Sequence, residues 1–369
     1  MNKRTRAISQ PQDIPVPIDT DLVVVYDRIA DILNTARTAV ARSVNVEMVR
    51  AYWSIGREIV EEEQRGSYRA GYGDKLIHAL AQRLGQAFGR GYSASNLKSM
   101  RQFYLTYPDL IQIRQTLSGE SGRLSNSDTV SILSWSHYTL LIKVESDYAR
   151  SFYQIETVRN SWSYRELERQ INSLLYERLA LSKDKKGLMT LAIEGQQINS
   201  PLDIIKEPVV LEFLNLPESH HLVEGDLEAA LISDLQSFLL ELGRGFAFIA
   251  RQERLTLDGD HFYVDLVFYH VVLKCYVLIE IKTGKLSHAD LGQIQFYVNY
   301  FDQERCTEGD GPTIGLVLCA DKNDAVVKYT LGEGNQQIFA SRYKLYLPSE
   351  QELADEIRRE LLEYQSSHE

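Results

Sequence analysis

The spacing of apolar residues predicts helices through most of the first half of the chain. Apolar positions recur at intervals of three and four between Tyr26 and Glu63, which is the period of an α-helix. Gly56 inside this segment is a candidate kink. The same pattern predicts further helices at 73–88, 96–107, 135–158 and 163–181, and the Ser- and Gly-rich residues 115–131 are expected to form a flexible loop.

The pattern includes strands from Pro201 onward. It predicts an amphipathic helix at 224–242 and then three strands at 246–257, 261–270 and 274–284. A helix at 288–303, a strand at 313–320, a short helix near Ala325, a strand at 343–348 and a terminal helix at 350–364 follow. This αβββαβ order predicts a mixed sheet with helices on both faces. The predicted fold class is therefore α plus α/β.

These changes in pattern divide the chain into four predicted parts. Residues 1–20 hold three of the nine prolines and a basic run, and are expected to form a flexible tail. Residues 21–182 form an all-α N-terminal domain, 183–200 a linker, and 201–369 the mixed-sheet domain.

The second and third predicted helices are separated by "GRGYSAS" (89–95), a glycine turn followed by a serine that can cap the next helix. This helix-turn-helix-like hairpin would expose polar side chains where a recognition helix contacts nucleic acid. The candidate contacts are Arg90, Lys98 and Arg101, with Asn96 and Gln102 beside them. A solvated outer face of an all-α domain explains the same pattern equally well.

The charge is divided unequally between the two halves. The net charge is −11, but residues 1–200 carry 26 basic and 22 acidic side chains, whereas residues 201–369 carry 14 and 29. A nucleic acid would therefore be attracted mainly by the first half, and the acidic half could hold divalent metal ions. Three unpaired cysteines and no long apolar run indicate a cytoplasmic protein without a membrane-spanning segment.

Charged residues interrupt two of the apolar strands. Asp265 lies in "FYVDLVFYH", and Glu280 and Lys282 lie in "VLIEIKTGKL", two residues apart and hence on one face. If the two strands are antiparallel neighbours, the two carboxylates can meet and hold Mg²⁺. Lys282 could then position or deprotonate a water, or neutralise charge that develops on a phosphate. Ordinary alternation in a half-solvated sheet is the competing explanation.

These residues, in this order of elements, resemble the PD-(D/E)XK nuclease superfamily, which has a restriction-endonuclease-like fold. The resemblance implies that Asp265 and Glu280 bind metal and that Lys282 is catalytic. It adds Glu228 on the first helix and Gln293 with Tyr297 on the helix after the Glu-x-Lys strand, with Gln295 as a substitute. Tyr297 is also a candidate contact to nucleic acid. Val264 stands where the motif has proline.

Longer segments resemble the bacterial YhcG-type family, in which a helical N-terminal domain precedes a PD-(D/E)XK domain. They include "YWSIGREIVEEEQ" in the first half and "GQIQFYVNYFD" in the second. The resemblance implies a Mg²⁺- or Mn²⁺-dependent nuclease that acts on nucleic acid, with DNA favoured, and a link to mobile-element or phage defence. Two alternatives stay open: a non-catalytic nucleic-acid-binding protein, and an oligomerisation scaffold that forms homo-oligomers through its helical domain.

Overall fold

The computed structural model describes residues 20–65, 72–110, 133–180, 185–216, 222–332, 334–349 and 351–352. The chain divides into two compact units, Met1–Trp135 and Ser136–Glu369. The predicted tail at 1–20, the loop at 115–131 and the terminal helix at 350–364 lie wholly or mostly outside the described residues. Within those residues, no helix combines the length and apolar character needed to cross a membrane.

The described part of the first unit contains three long helices, α1 (Thr20–Arg65), α2 (Tyr72–Phe88) and α3 (Ala94–Thr106). A short 3₁₀ turn, Arg90–Tyr92, joins α2 to α3 as the glycine turn predicts. The side chain of Ser93 caps α3 by accepting a bond from the Asn96 N–H at 3.3 Å, so α3 begins two residues before the predicted start. The shared core consists of Ile59, Ile77, Leu97 and Met100.

Gly56 does not end or divide α1, which continues through it. Its missing side chain instead lets α1 approach α3 closely. A Cβ atom at position 56 would collide with the backbone oxygen of Met100 and would lie 3.1 Å from Cβ of Tyr104. The glycine therefore serves helix packing.

We expect Gly56→Ala to destabilise the protein by about 1–3 kcal/mol, because the added methyl must push α1 and α3 apart. Gly85 in α2 is a matched control, since no atom outside the adjacent backbone of its own helix lies within 4 Å of the position its Cβ would take. Gly85→Ala should stabilise the protein by about 0.5–1 kcal/mol through helix propensity. Urea unfolding of both variants measures the difference, and a Gly56→Ala midpoint at or above that of the wild type would contradict the packing role.

The next segment forms five shorter helices in the described residues: α4 (Trp135–Leu141), α5 (Asp147–Asn160), α6 (Tyr164–Asn172), α7 (Leu175–Ala180) and α8 (Lys185–Glu194). The predictions of single helices at 135–158 and 163–181 are wrong. A new helix starts at the Ser146 cap, and Leu174 takes a left-handed φ of 54° that interrupts the second segment. Helix α8 falls inside the predicted linker, and it is ordered by burial of Leu191 and Ala192.

The second unit contains a six-stranded mixed sheet with strand order β1-β6-β5-β4-β3-β2. The strands are β1 (Val209–Val210), β2 (Phe246–Leu257), β3 (Asp260–His270), β4 (Cys275–Lys285), β5 (Ile314–Asp321) and β6 (Ile338–Lys344). Strands β2, β3 and β4 are antiparallel, whereas β4, β5, β6 and β1 are parallel. The predicted fold class is confirmed. Strand β1 was not predicted, and β6 lies several residues before the predicted position.

Helices cover both faces of this sheet, as predicted. On one face lie α9 (Glu224–Ser233) and α10 (Leu235–Leu242), which are separated at Asp234 where a single helix was expected. On the other lie α11 (His288–Glu304) and α12 (Asp324–Leu331). A capping box of Ser287 and Asp290 fixes the start of α11. Because both faces are covered, the polar groups on β4 cannot be explained as an ordinary solvated face.

A buried ionic network connects α6 and α7 to α10. The side chain of Arg178 on α7 is 0% exposed and donates to Glu241 Oε1 at 2.6 Å and to the Pro208 carbonyl at 2.8 Å. Arg169 on α6 donates to Glu241 Oε2 at 3.2 Å. In the structure, α6 and α7 therefore belong to the same compact unit as the sheet. The sequence pattern instead assigned them to the predicted helical domain at 21–182. The domain borders at 182 and 200 stay a prediction.

Candidate active site

The two predicted carboxylates meet where β3 and β4 separate. The paired positions of this ladder end at Leu266 and Ile279, and beyond them side chains replace the backbone pairing. The Asp265 N–H donates to Glu280 Oε1 at 3.3 Å, and the Ile281 N–H donates to Asp265 Oδ2 at 2.9 Å. Each carboxylate is therefore oriented by the backbone of the neighbouring strand.

Burial makes both carboxyl groups harder to ionise. Glu280 is 2% exposed, and burial together with the charge of Asp265 raises the pKa of Glu280 to about 8. Burial also raises the pKa of Asp265, although bonds from the Ile281 N–H and the Gln252 amide oppose that rise. Two acids in contact, each with a raised pKa, form a site that a cation would stabilise.

Lys282 lies beside these carboxylates. Its Nζ is 3.7 Å from Glu280 Oε2 and 3.5 Å from Glu224 Oε2. Burial lowers the pKa of Lys282, but the charges of Glu280 and Glu224 together outweigh burial and raise it above its ordinary value. The amine is therefore protonated. This favours charge neutralisation or water positioning over deprotonation of a water.

Gln293 on α11 also reaches the site. Its Nε2 donates to Glu280 Oε2 at 3.3 Å and to the Tyr297 hydroxyl at 2.8 Å. Gln295, the predicted substitute, instead donates to Asn299 at 2.9 Å. Of these two candidates on α11, Gln293 is therefore the one that contacts Glu280.

Tyr297 is buried in the structure. It is 2% exposed and belongs to the core between α11 and the sheet, which argues against the predicted direct contact to nucleic acid, and that contact stays a prediction. Its hydroxyl instead accepts the bond from Gln293, which helps to fix the amide beside Glu280. Tyr297 therefore acts on the site through Gln293.

Glu228 is linked to the site through a residue that the motif does not contain. Buried on α9, Glu228 accepts bonds from Arg251 Nε at 2.6 Å and from Gln252 Nε2 at 2.7 Å. Gln252 Nε2 also donates to Asp265 Oδ1 at 2.9 Å. The first helix of the domain is thereby connected to the strand carboxylate.

The sequence pattern does not single out Arg251, Gln252 or Glu224. A sequence signal exists for Gln252. Asp258 followed by Gly259 favours a two-residue hairpin turn, and both residues have the positive φ of such a turn. Counting back along the paired strands from this turn places residue 252 opposite 265. Glu224 lies one helical turn before Glu228, so helical periodicity places both acids on one face of α9.

Asp265 and Glu280 are suited to a divalent cation as a small ligand set. The described part of the chain contains no group of three or more His, Cys, Asp or Glu side chains arranged to hold a metal ion. Mg²⁺ nevertheless keeps several waters and needs only one or two protein carboxylates. The two residues therefore fit such an ion, and their role as ligands stays a prediction.

The candidate nucleic-acid contacts of the first unit are partly engaged in ion pairs. Lys98 Nζ is 3.1 Å from Asp74 Oδ1, and Arg101 Nε is 2.5 Å from Glu63 Oε2. Arg90 is exposed on the 3₁₀ turn. A phosphate would have to compete with these two acids, and contact by the three residues stays a prediction.

Comparison with known proteins matches both halves of the chain to family models. Residues 202–361 match the model described as the YhcG PDDEXK nuclease domain, and residues 28–178 match the DUF1016 N-terminal domain. The curated protein "Putative nuclease YhcG" of Escherichia coli (strain K12) is 42% identical over 352 residues, which cover 91% of this chain and 93% of that protein. The nuclease match includes Glu224, Glu228, Asp265 and Glu280.

Solved structures show only weak overall similarity. A repair endonuclease from Pyrococcus abyssi is 17% identical, covers 36% of this chain and 50% of its own, and has a TM-score of 0.24. The EndoMS–dsDNA2 complex gives the same identity and coverages with a TM-score of 0.25. The matches thus span half of each of those chains.

Proposed function

Because the chain belongs to the YhcG family of proteins with a PD-(D/E)XK nuclease domain, we propose that it is a nuclease that uses Mg²⁺ or Mn²⁺ to hydrolyse phosphodiester bonds in DNA. One observation carries the proposal. Asp265 and Glu280 converge where β3 and β4 separate, with the Lys282 amine 3.7 Å from Glu280. An acid pair next to a protonated amine matches the needs of phosphodiester hydrolysis better than those of a structural site.

Each side chain has a proposed role. Asp265 and Glu280 would hold the divalent cation, which when bound would supply positive charge next to the scissile phosphate. Lys282 would orient the attacking water and stabilise negative charge on the phosphate as the P–O bond breaks. Gln293 would fix the orientation of Glu280, and Glu228 would complete the set of side chains around the cation site.

DNA is the proposed substrate, and the helical domain is proposed to contribute to its binding. The charge distribution supports binding through the helical domain. The second half of the chain carries a strong negative charge, which opposes a polyanion except near Lys282. Arg90, Lys98 and Arg101 are the proposed phosphate contacts. Assembly through the helical domain and a role in phage or mobile-element defence also stay predictions.

The test is incubation of the purified full-length protein with duplex DNA, single-stranded DNA, branched DNA and RNA, with and without Mg²⁺ or Mn²⁺. We expect metal-dependent cleavage of DNA. We expect Lys282→Ala to reduce the rate by about 10²- to 10³-fold, as for loss of one donor to a transition-state charge. Affinity for uncleaved nucleic acid should change little, because Lys282 is proposed to act mainly in the transition state.

Lys285→Ala is the matched control, since Lys285 is an exposed lysine on the same strand. It should cleave at the wild-type rate. Cleavage by Lys282→Ala at the wild-type rate would overturn the proposed role of Lys282. Binding without cleavage of any substrate would favour the non-catalytic alternative.

A further inference from the structure

Strand β2 has an irregular backbone at Gln252. Its φ is 47°, in the left-handed region that residues with a side chain rarely adopt. The register of β2 on β3 also shifts between Phe248 and Ala250, a few residues earlier. Bulges and strained residues of this kind recur beside active sites, where they re-aim a side chain. Glutamine thus stands at position 252 against its backbone preference.

The Gln252 side chain joins two carboxylates from different elements. Its single amide nitrogen donates to Glu228 Oε2 on α9 at 2.7 Å and to Asp265 Oδ1 on β3 at 2.9 Å. A primary amide nitrogen carries two N–H groups, so each carboxylate can receive one. The bridge holds together two acids that would otherwise repel each other.

The chemistry of the two acceptors fixes the orientation of this amide. Rotating it by half a turn would place its oxygen against both carboxylates, which ionised offer only acceptors. With the nitrogen inward, both oxygens of Asp265 are oriented, Oδ1 by Gln252 and Oδ2 by the Ile281 N–H. The carboxylate can then turn only by breaking one of these bonds.

We propose that Gln252 is a positioning residue that orients Asp265 and couples it to Glu228 for binding of a divalent cation. The inference rests on the proposed function and adds a residue outside the family motif. Gln252 acts through Asp265 and does not itself contact the cation. Its left-handed backbone is what brings the amide between the two acids.

The test compares the Mn²⁺ affinity of the full-length wild type and variants by isothermal titration calorimetry. Gln252→Gly removes the amide and relieves the backbone, so the metal-free protein should keep its melting temperature. We expect the Kd for Mn²⁺ to rise by about 10- to 100-fold, as for loss of a residue that orients a ligand. The kcat should fall while KM for nucleic acid stays unchanged.

Two further variants make the test decisive. Asp258→Gly is the control, because Asp258 has a similar φ of 48° six residues farther along the hairpin, and its Kd should equal that of the wild type. Gln252→Asn keeps a side chain and tolerates the backbone, but its amide is one methylene shorter, so the same loss is expected should the glycine variant unfold.

The outcomes separate this inference from the proposed function. If the wild type binds Mn²⁺ and a folded Gln252 variant binds it within twofold, only the positioning role of Gln252 is overturned. If the wild type neither binds Mn²⁺ nor cleaves nucleic acid, the proposed function fails and this inference fails with it.

Discussion

Replacing Glu280 with glutamine should abolish metal-dependent cleavage and, at pH 8, stabilise the metal-free protein. The first effect follows from loss of a proposed metal ligand. The second follows from burial, because Glu280 is 2% exposed and lies against Asp265, so its ionised form is penalised in the folded state. Glutamine has nearly the same shape and no charge.

The direction of the pH dependence follows from the raised pKa of Glu280. The pKa is about 8 in the folded protein and ordinary in the unfolded chain, so between these values the folded state holds a proton that the unfolded state has lost. The contribution of Glu280 to the free energy of unfolding of the metal-free wild type should therefore be fully present below about pH 4.5. It should be lost as the pH rises to about 8. The Glu280→Gln variant should lack this fall, which is of the order of a few kcal/mol.

Urea unfolding between pH 5 and pH 8, in EDTA and in millimolar Mn²⁺, measures both effects. Bound Mn²⁺ should flatten the wild-type dependence and raise its midpoint by mass action, and it should do neither in the variant. Glu304→Gln, which neutralises an exposed acid on α11, is the control and should follow the wild type. Equal pH dependence in wild type and Glu280→Gln would remove the electrostatic argument for a cation at this site.

Replacing Glu241 with glutamine should destabilise the Ser136–Glu369 unit by about 3–5 kcal/mol, the usual loss when one partner of a buried ion pair is removed. Arg178 is fully buried, Arg169 donates to the same carboxylate, and Lys206 donates to the backbone carbonyl of Glu241. Burial would raise the pKa of Glu241, but the neighbouring cations outweigh it and lower the pKa to about 2. Without this charge, the buried Arg178 and Lys206 would lie near each other, and only Arg169 would keep a carboxylate partner, Glu212 at 2.8 Å.

Urea unfolding at neutral pH measures this loss. Glu47→Gln is the control, because it breaks an exposed pair with Arg50 at 2.7 Å that is worth at most about 1 kcal/mol. Replacing Arg178 with methionine together with Glu241 with leucine should cost less than Glu241→Gln, because the buried Arg178 charge is removed together with its partner and Arg169 keeps its pair with Glu212. A loss below about 1 kcal/mol for Glu241→Gln would contradict the network.

The strands and their carboxylates are predictable from sequence because their signals are local. Asp265 and Glu280 each interrupt an apolar run, and a short connection makes their strands neighbours, so period-two alternation is sufficient to pair them. The long-range contacts are not predictable in this way. Arg178 meets Glu241 across 63 positions, and nothing in the spacing around either residue indicates the other.

Gln252 and Tyr297 are two residues of the site whose contacts the sequence could not predict. The turn at 258–259 fixes which residue faces Asp265, but the left-handed φ that aims the Gln252 amide has no sequence signature, since glutamine is not a residue that favours it. For Tyr297, the spacing of residues on the helix identifies which face of α11 carries the ring, but it does not show how far the ring is buried. An aromatic ring three or four positions from its neighbours can pack in a core or stack on a base, and only the structure shows the burial.

The ionic network around Glu241 also bears on how this protein could exchange parts with others during evolution. A recombination event that joined a foreign N-terminal segment at 183–200 would supply the sheet and its carboxylates but would leave Glu241 without Arg178 and Arg169. The hybrid would carry Asp265, Glu280 and Lys282 intact on an unstable scaffold. A viable crossover would fall before α6, so that the heritable module comprises the mixed-sheet fold together with the helices that neutralise its buried acid.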